Sequence, residues 1–203
     1  MIEQLRAASG KDVPRETLEQ LEAYIELLKE EARRQNLIAP STLEAVWDRH
    51  ILDSAQLLRF EPFSGAAWAD IGSGAGLPGI VIALLASGPV TLIEPRRLRA
   101  EFLAQCIDRL SLGEKVTVKC SKVERAQGKF DVITARAVAA LDRLIAIAEH
   151  LSHKETVWVL PKGRSAQSEL ALAKRNWHCD VRVERSCTDP ESEILVLTRV
   201  GAK

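Results

Sequence analysis

Ten residues in the first half of the chain, Asp70-Ile71-Gly72-Ser73-Gly74-Ala75-Gly76-Leu77-Pro78-Gly79, have the types and spacing to hold a nucleoside. Glycines at 72, 74, 76 and 79 let the backbone turn tightly and come close to a ligand. The run stands between Ala66-Ala67-Trp68-Ala69, which reads as a short buried strand, and Ile80-Val81-Ile82-Ala83-Leu84-Leu85, which reads as an apolar helix. Amides at the start of that helix favour an anionic group. Glu94 ends the next apolar run, where a carboxylate can accept hydrogen bonds from a ribose diol. Together these residues describe a site for a nucleoside-containing cofactor.

Two cofactors fit the spacing. Gly74-x-Gly76-x-x-Gly79 formally matches the dinucleotide fingerprint, which keeps NAD open. Gly72-x-Gly74-x-Gly76, with Asp70 two residues ahead to meet a methionyl ammonium group or a structured water, favours S-adenosylmethionine. A plain strand–helix turn is the structural alternative. An NAD oxidoreductase would also need a Tyr/Lys or His/Asp group beside the nicotinamide. The single tyrosine, Tyr24, falls in an N-terminal helix and is expected far from such a position.

The elements that must carry these residues alternate from about Ala66 onward. Strand-like runs are expected at 66–71, 90–93, 116–120, 131–135 and 156–160, with helix-like segments at 80–86, 98–110, 141–151 and 165–175. Runs 179–185 and 192–199 then follow each other across Thr188-Asp189-Pro190-Glu191 with no helix between them. That order predicts an α/β fold: a seven-stranded, mostly parallel sheet covered on both faces, ending in an antiparallel hairpin at one edge. This is the arrangement of a class I, Rossmann-like methyltransferase. Ahead of it, Leu18, Leu21, Ile25 and Leu28 recur at helical spacing within 14–34, with Pro14 suited to the first turn and Asp12 to the cap. Ser41 or Thr42 can cap a second helix through Leu58. Residues 1–60 are thus expected as a helical cap packed on a Rossmann-like domain at 61–203.

In an open α/β sheet, ligands lie beyond the C-terminal ends of the strands. That geometry selects Gly72–Gly76, Glu94, Ser121–Glu124, Arg136 and Pro161–Gly163. Basic residues gather at the same ends: Arg96, Arg97 and Arg99, then Lys119, Lys122 and Arg125, then Arg136, then Lys162 and Arg164. Each cluster alone reads as solvated surface; their shared position suggests a phosphate-binding rim. The whole chain of 203 residues balances 28 Lys+Arg against 28 Asp+Glu, so only a local basic face can argue for nucleic acid. No apolar run is long enough for a bilayer. The four cysteines lack metal-like spacing and are expected as reduced, mostly core-facing thiols in a cytoplasmic protein.

Beyond these readings, the chain resembles the RsmG (GidB) family of bacterial 16S ribosomal RNA guanine-N7 methyltransferases. The resemblance rests on Arg49-His50-Ile51-Leu52-Asp53-Ser54, the glycine run, Arg97, Phe102-Leu103, Val123-Glu124, Ala135-Arg136-Ala137 and Lys162-Gly163, in order across nearly the whole chain. Beside the motif's own contacts at Gly72, Gly74, Gly76 and Glu94, it implies S-adenosylmethionine held against Gly72 and Leu77, with the adenine edge met at Val123-Glu124. It further implies that Arg136 lines the cofactor or substrate site, and that the product is 7-methylguanosine at guanine 527 of the 530 loop. The implied partner is 16S rRNA within the 30S subunit, met by a monomer, with Arg96, Arg97, Lys162 and Arg164 as candidate RNA contacts. The chain departs from the family at Arg34-Gln35-Asn36-Leu37-Ile38-Ala39, where relatives carry an aromatic-Asn-Leu-Thr element and only Asn-Leu remains.

Guanine N7 has an in-plane lone pair and no proton, so its attack on a sulfonium methyl group needs no general base. The chain lacks both the Asp/Asn-Pro-Pro-aromatic motif used on exocyclic amines and a Pro-Cys nucleophile for cytosine C5. Cys120 follows Lys119 and reads as structural. His50 and Asp53, one helical turn apart, are expected as a packed histidine and its partner or cap. Catalysis would come from alignment and exclusion of water. A small-molecule methyltransferase and a non-catalytic nucleotide-binding module remain the competing readings.

Overall fold

The computed structural model describes residues 1–39, 42 and 44–203. Alternating side chains of the strands divide between two apolar layers, as the period-two geometry of a strand requires. Trp68, Val90, Leu92 and Val132 face one layer, with Leu21, Tyr24, Ile80 and Phe102. Ala69, Ile71, Ile93 and Ile133 face the other, with Leu141, Ile145 and Leu170. Both faces are buried, which is why these strands read as nearly continuous apolar runs.

The sheet has seven strands in the order β3-β2-β1-β4-β5-β7-β6. These are β1 (Trp68–Ile71), β2 (Val90–Ile93), β3 (Val116–Lys119), β4 (Phe130–Ala135), β5 (Ser152–Lys162), β6 (Trp177–Arg185) and β7 (Glu193–Ala202). The pairs among β1 to β5 are parallel. β7 runs antiparallel to both neighbours, entering between β5 and β6. Strand order reverses at β1/β4, so the crevice beyond their C-terminal ends is the place for a ligand.

The helices are α1 (Ile2–Ser9), α2 (Arg15–Glu31), α3 (Asp53–Ala55), α4 (Gly79–Leu85), α5 (Arg97–Arg109), α6 (Leu141–Ala148) and α7 (Ala166–Asn176). The expected helix through Leu58 is less regular. A π-helical turn (Trp47–Leu52) leads into α3, and a 3-10 turn (Gln56–Phe60) follows it. α1 was not expected, and Asp12 does not cap α2; its carboxylate takes Arg6 and the Val13 amide instead. Ser41, offered as a cap, lies outside the described residues. The first sixty residues contribute Leu5, Leu21, Tyr24, Ile51 and Leu57 to the layer that also holds Ile80 and Phe102, so the cap shares the sheet's core.

Two expectations are corrected. Only Cys106 is buried, whereas Cys120 and Cys187 are exposed, because the edges of β3 and the β6–β7 turn face solvent. β5 extends to Lys162, two residues further than its apolar run, because Pro161 and Lys162 pair with Ile194 and Glu193 of β7. Among the described residues, no helix is long and apolar enough to cross a membrane.

Candidate active site

The glycine loop leaves β1 and enters α4 with Gly72, Gly74 and Gly76 at φ of 67°, 55° and 92°. These left-handed values are costly for residues with a Cβ. The three glycines serve different neighbours. A Cβ on Gly72 would lie 2.6 Å from Val138, a residue of the segment leaving β4. Gly74 donates its amide to Glu94 Oε2 at 2.9 Å. A Cβ on Gly76 would meet Ile80, Leu103 and Tyr24, so glycine there is required by the interior. Leu77 is likewise buried among core residues.

Asp70 and Glu94 stand under the loop rather than in the open. Asp70 is 1% exposed and accepts the Gly79 amide through Oδ2 at 3.1 Å. Its other oxygen, Oδ1, is buried without a partner. Burial, only partly offset by the nearby Ser73 hydroxyl, the Gly79 amide and the Arg136 charge, pushes its pKa up to about 7. Glu94 is 3% exposed and accepts the Gly74 and Arg96 amides, one on each oxygen. Each of those oxygens keeps a second lone pair for a ribose hydroxyl. Tyr24, expected in an N-terminal helix away from any hydride-transfer position, lies in α2 and packs behind the glycine loop. Its buried hydroxyl donates to the Ala75 carbonyl at 2.8 Å, tying α2 to the loop, and burial raises its pKa well above the usual value.

Beyond β4 and β5 opens a cleft of about 460 Å³, lined in part by Asp53, Arg136, Val138, Lys162, Ser186 and Glu193. Arg136 donates to Asp53 Oδ2 at 3.2 Å. The two side chains are 21% and 18% exposed, so the pair sits in the wall and not on the surface. Asp53 is therefore not the partner of His50. His50 Nε2 pairs with Thr42 Oγ1 at 2.9 Å, and its Nδ1 is buried unpartnered. Burial, with the Arg136 charge nearby, lowers the His50 pKa to about 4. Ala137 follows Arg136 at φ 57°, a left-handed turn that lays Val138 against Gly72.

The basic residues split. Arg96 and Arg97 are exposed at the start of α5, Arg97 with a loose pairing to Glu101. Lys162 is 11% exposed and committed to Glu169 and to the Ala139 carbonyl. It is thus a tie within the cleft wall rather than a free cation of the rim. Arg164 is exposed and paired with Glu191. Val123 is buried and Glu124 exposed in the turn after β3. The altered Asn36 element packs on the start of α5: Arg99 donates to the Asn36 carbonyl, and Gln35 to that of Leu98.

A glycine loop at the reversal point, an acid closing β2, and a parallel sheet ending in an inserted antiparallel strand define a class I S-adenosylmethionine-dependent methyltransferase. Solved structures agree in fold. A SAM-dependent methyltransferase from Aquifex aeolicus superposes with TM-score 0.61 at 13% identity, covering 79% of this chain and 98% of that one. TYW2 from Pyrococcus horikoshii in complex with MeSAdo gives 0.56 at 14%, covering 80% and 64%.

Sequence relatives are far nearer. The family model described as rRNA small subunit methyltransferase G matches residues 17–194. Curated proteins named ribosomal RNA small subunit methyltransferase G are similar over most of their length. The Rhizorhabdus wittichii protein is 47% identical over 191 residues, covering 93% of this chain and 88% of its own. The Zymomonas mobilis protein is 44% identical over 200 residues, covering 94% and 90%. The chain belongs to the rRNA small subunit methyltransferase G family.

Proposed function

We propose that this chain methylates N7 of a guanine in 16S rRNA, guanine 527 by the resemblance above, acting as a monomer on the 30S subunit in the cytoplasm. The observation that carries the reading is the wall of the cleft beside Gly72. It offers a guanidinium paired with Asp53, a lysine bound to Glu169, and Glu193, whose carboxylate accepts from the Gln167 amide, so each acid there is already engaged. Such a wall orients a base without taking a proton from it, which suits an acceptor atom that carries none.

The residues fit S-adenosylmethionine. Gly74 leaves room for close backbone approach, Glu94 retains lone pairs for the ribose, Val123-Glu124 forms the turn after β3 to which the resemblance assigns the adenine edge, and Asp70 Oδ1 is a buried acceptor without a donor. When bound there, the cofactor supplies an electrophilic methyl group. Arg136 presents N–H donors suited to guanine O6. Val138, itself exposed, lies against Gly72 where the glycine loop meets the cleft, which brings the two sides of the site next to each other. Arg96 and Arg97 are the exposed cations for RNA phosphates.

Radiolabelled methyl transfer to 30S subunits, followed by mapping of the modified base, tests this. Label on guanine N7 is expected. Label on an exocyclic amine, or equal activity on free guanosine, would overturn it.

A further inference from the structure

Asp53 was expected to serve the helical segment alone, yet its carboxylate lies between Arg136 and the β6–β7 turn. Oδ2 accepts from Arg136, while Oδ1 accepts from Gln56 Nε2 at 2.9 Å and Thr188 Oγ1 at 2.9 Å. Gln56 in turn donates to Ser186 Oγ at 3.0 Å and accepts the Cys187 amide at 2.8 Å. Ser186 also bonds Thr188. The carboxylate is therefore held on the side away from Arg136 by two residues of separate segments, Gln56 and Thr188, which Ser186 links to each other. Among the described residues, Arg136 makes no other hydrogen bond. A guanidinium has five N–H donors, so most of those on Arg136 remain to face the cleft that it lines.

The charge of the reaction makes this pairing consequential. As the N7–CH3 bond forms and the S–CH3 bond breaks, the sulfur keeps the bonding electron pair. The positive charge moves from the sulfonium to the guanine ring, and no proton leaves. An unpaired guanidinium in contact with O6 would oppose a charge arriving on that same ring. Paired with Asp53, the contact is neutral and still donates.

We propose that Asp53 is the positioning residue of Arg136: it fixes the guanidinium toward the acceptor base and cancels its charge as that base becomes cationic. This rests on the acceptor reading above. It predicts an effect concentrated in the transition state rather than in binding.

The test is Asp53→Asn with Arg136→Lys and the double variant. Asparagine has a single acceptor oxygen, so it cannot accept from Arg136 on one side and from Gln56 on the other. Expected for Asp53→Asn is a fall in kcat on 30S subunits of about 10- to 100-fold. KM for the subunit and the Kd of S-adenosylhomocysteine should stay within about threefold, since neither depends on charge arriving at the base. Adding Arg136→Lys should cost much less than the product of the two single effects. The 15N–1H signal of Arg136 Nε in the ligand-free protein should be sharp in the wild type and broadened in Asp53→Asn. Wild-type kcat with an unchanged Arg136 signal would overturn the proposal, as would a change confined to KM or independent, multiplicative effects. Should wild-type protein transfer no methyl group to 30S subunits, the acceptor reading fails, while the Arg136 signal still decides whether Asp53 positions it.

Discussion

Around Gly72–Gly76 the site is made of backbone: three left-handed glycines, amides bound by the buried carboxylates of Asp70 and Glu94, and a carbonyl held by Tyr24. Around Arg136 it is made of side chains brought from distant parts of the chain, with Asp53, Thr188 and Gln56 meeting in one network. On the proposed reading, the donor side presents backbone held in a strained local conformation, and the acceptor side presents side chains held by one another. A backbone site tolerates little change in shape. A side-chain site loses chemistry before it loses shape.

The contrast is easiest to break at Gly72. Gly72→Val places a branched side chain at φ 67°, against Val138. Calorimetric titration should show S-adenosylhomocysteine binding weakened by about 100-fold or more, through strain and overpacking together. Arg136→Ala should do the reverse, lowering kcat on 30S subunits by about 100-fold while the same titration changes little.

A subtler test uses pH, because Asp70, buried under the loop, and His50, half-buried near Arg136, are shifted in opposite directions. Asp70 titrates near 7 in the folded chain against 3.8 for the ordinary group, so the native state keeps a proton that the unfolded state has lost. Its contribution to stability falls as pH rises from about 4 to 7, by about 1.4 kcal/mol per unit at most, and is level above. His50, lowered from 6.5 to about 4, does the opposite: stability is lost as pH falls through that window, because the unfolded state takes the proton first. Thermal melts of Asp70→Asn should therefore show a steeper acid loss than wild type between pH 6.5 and 4.5. His50→Gln should show a shallower one.

Smaller still is Ala137→Gly, which relieves a left-handed φ of 57°. Denaturant titration should show about 1 kcal/mol of added stability, with kcat reduced by a looser Arg136. Arg97→Ala, at an exposed position, should leave the melt unchanged. It should reduce the salt dependence of RNA binding by about one unit of slope.

What the sequence made legible follows the same division. The strand–glycine–helix unit and the closing acid are local, so residues 68–94 announce both fold and cofactor. The reversed last hairpin was visible because no helical pattern separates Arg185 from Glu193. The Asp53–Arg136 pair was not visible, because 83 positions separate its members and both residue types are common at surfaces. The tie from Tyr24 to the Ala75 carbonyl was not visible for a related reason: the sequence predicts that the N-terminal helix packs on the rest, but not which residue of it meets the loop 51 positions later. Lys162 looked like a free cation because a sequence does not show that Glu169 reaches back from α7.

The insertion of β7 between β5 and β6 has a consequence for assembly. Ser192, Glu193 and Ile194, which open β7, also wall the acceptor cleft. During synthesis the hydrogen bonds between the glycine loop and Glu94 can form about a hundred residues before Ser192, Glu193 and Ile194 complete the cleft. β7 must find both partners by non-local pairing, which is the slow kind. Pulse-labelled hydrogen exchange should find the amides of β1 and β2 protected before those of Leu195 and Leu197. On the proposed function, the hold on a nucleoside would then be gained before the ability to discriminate a base.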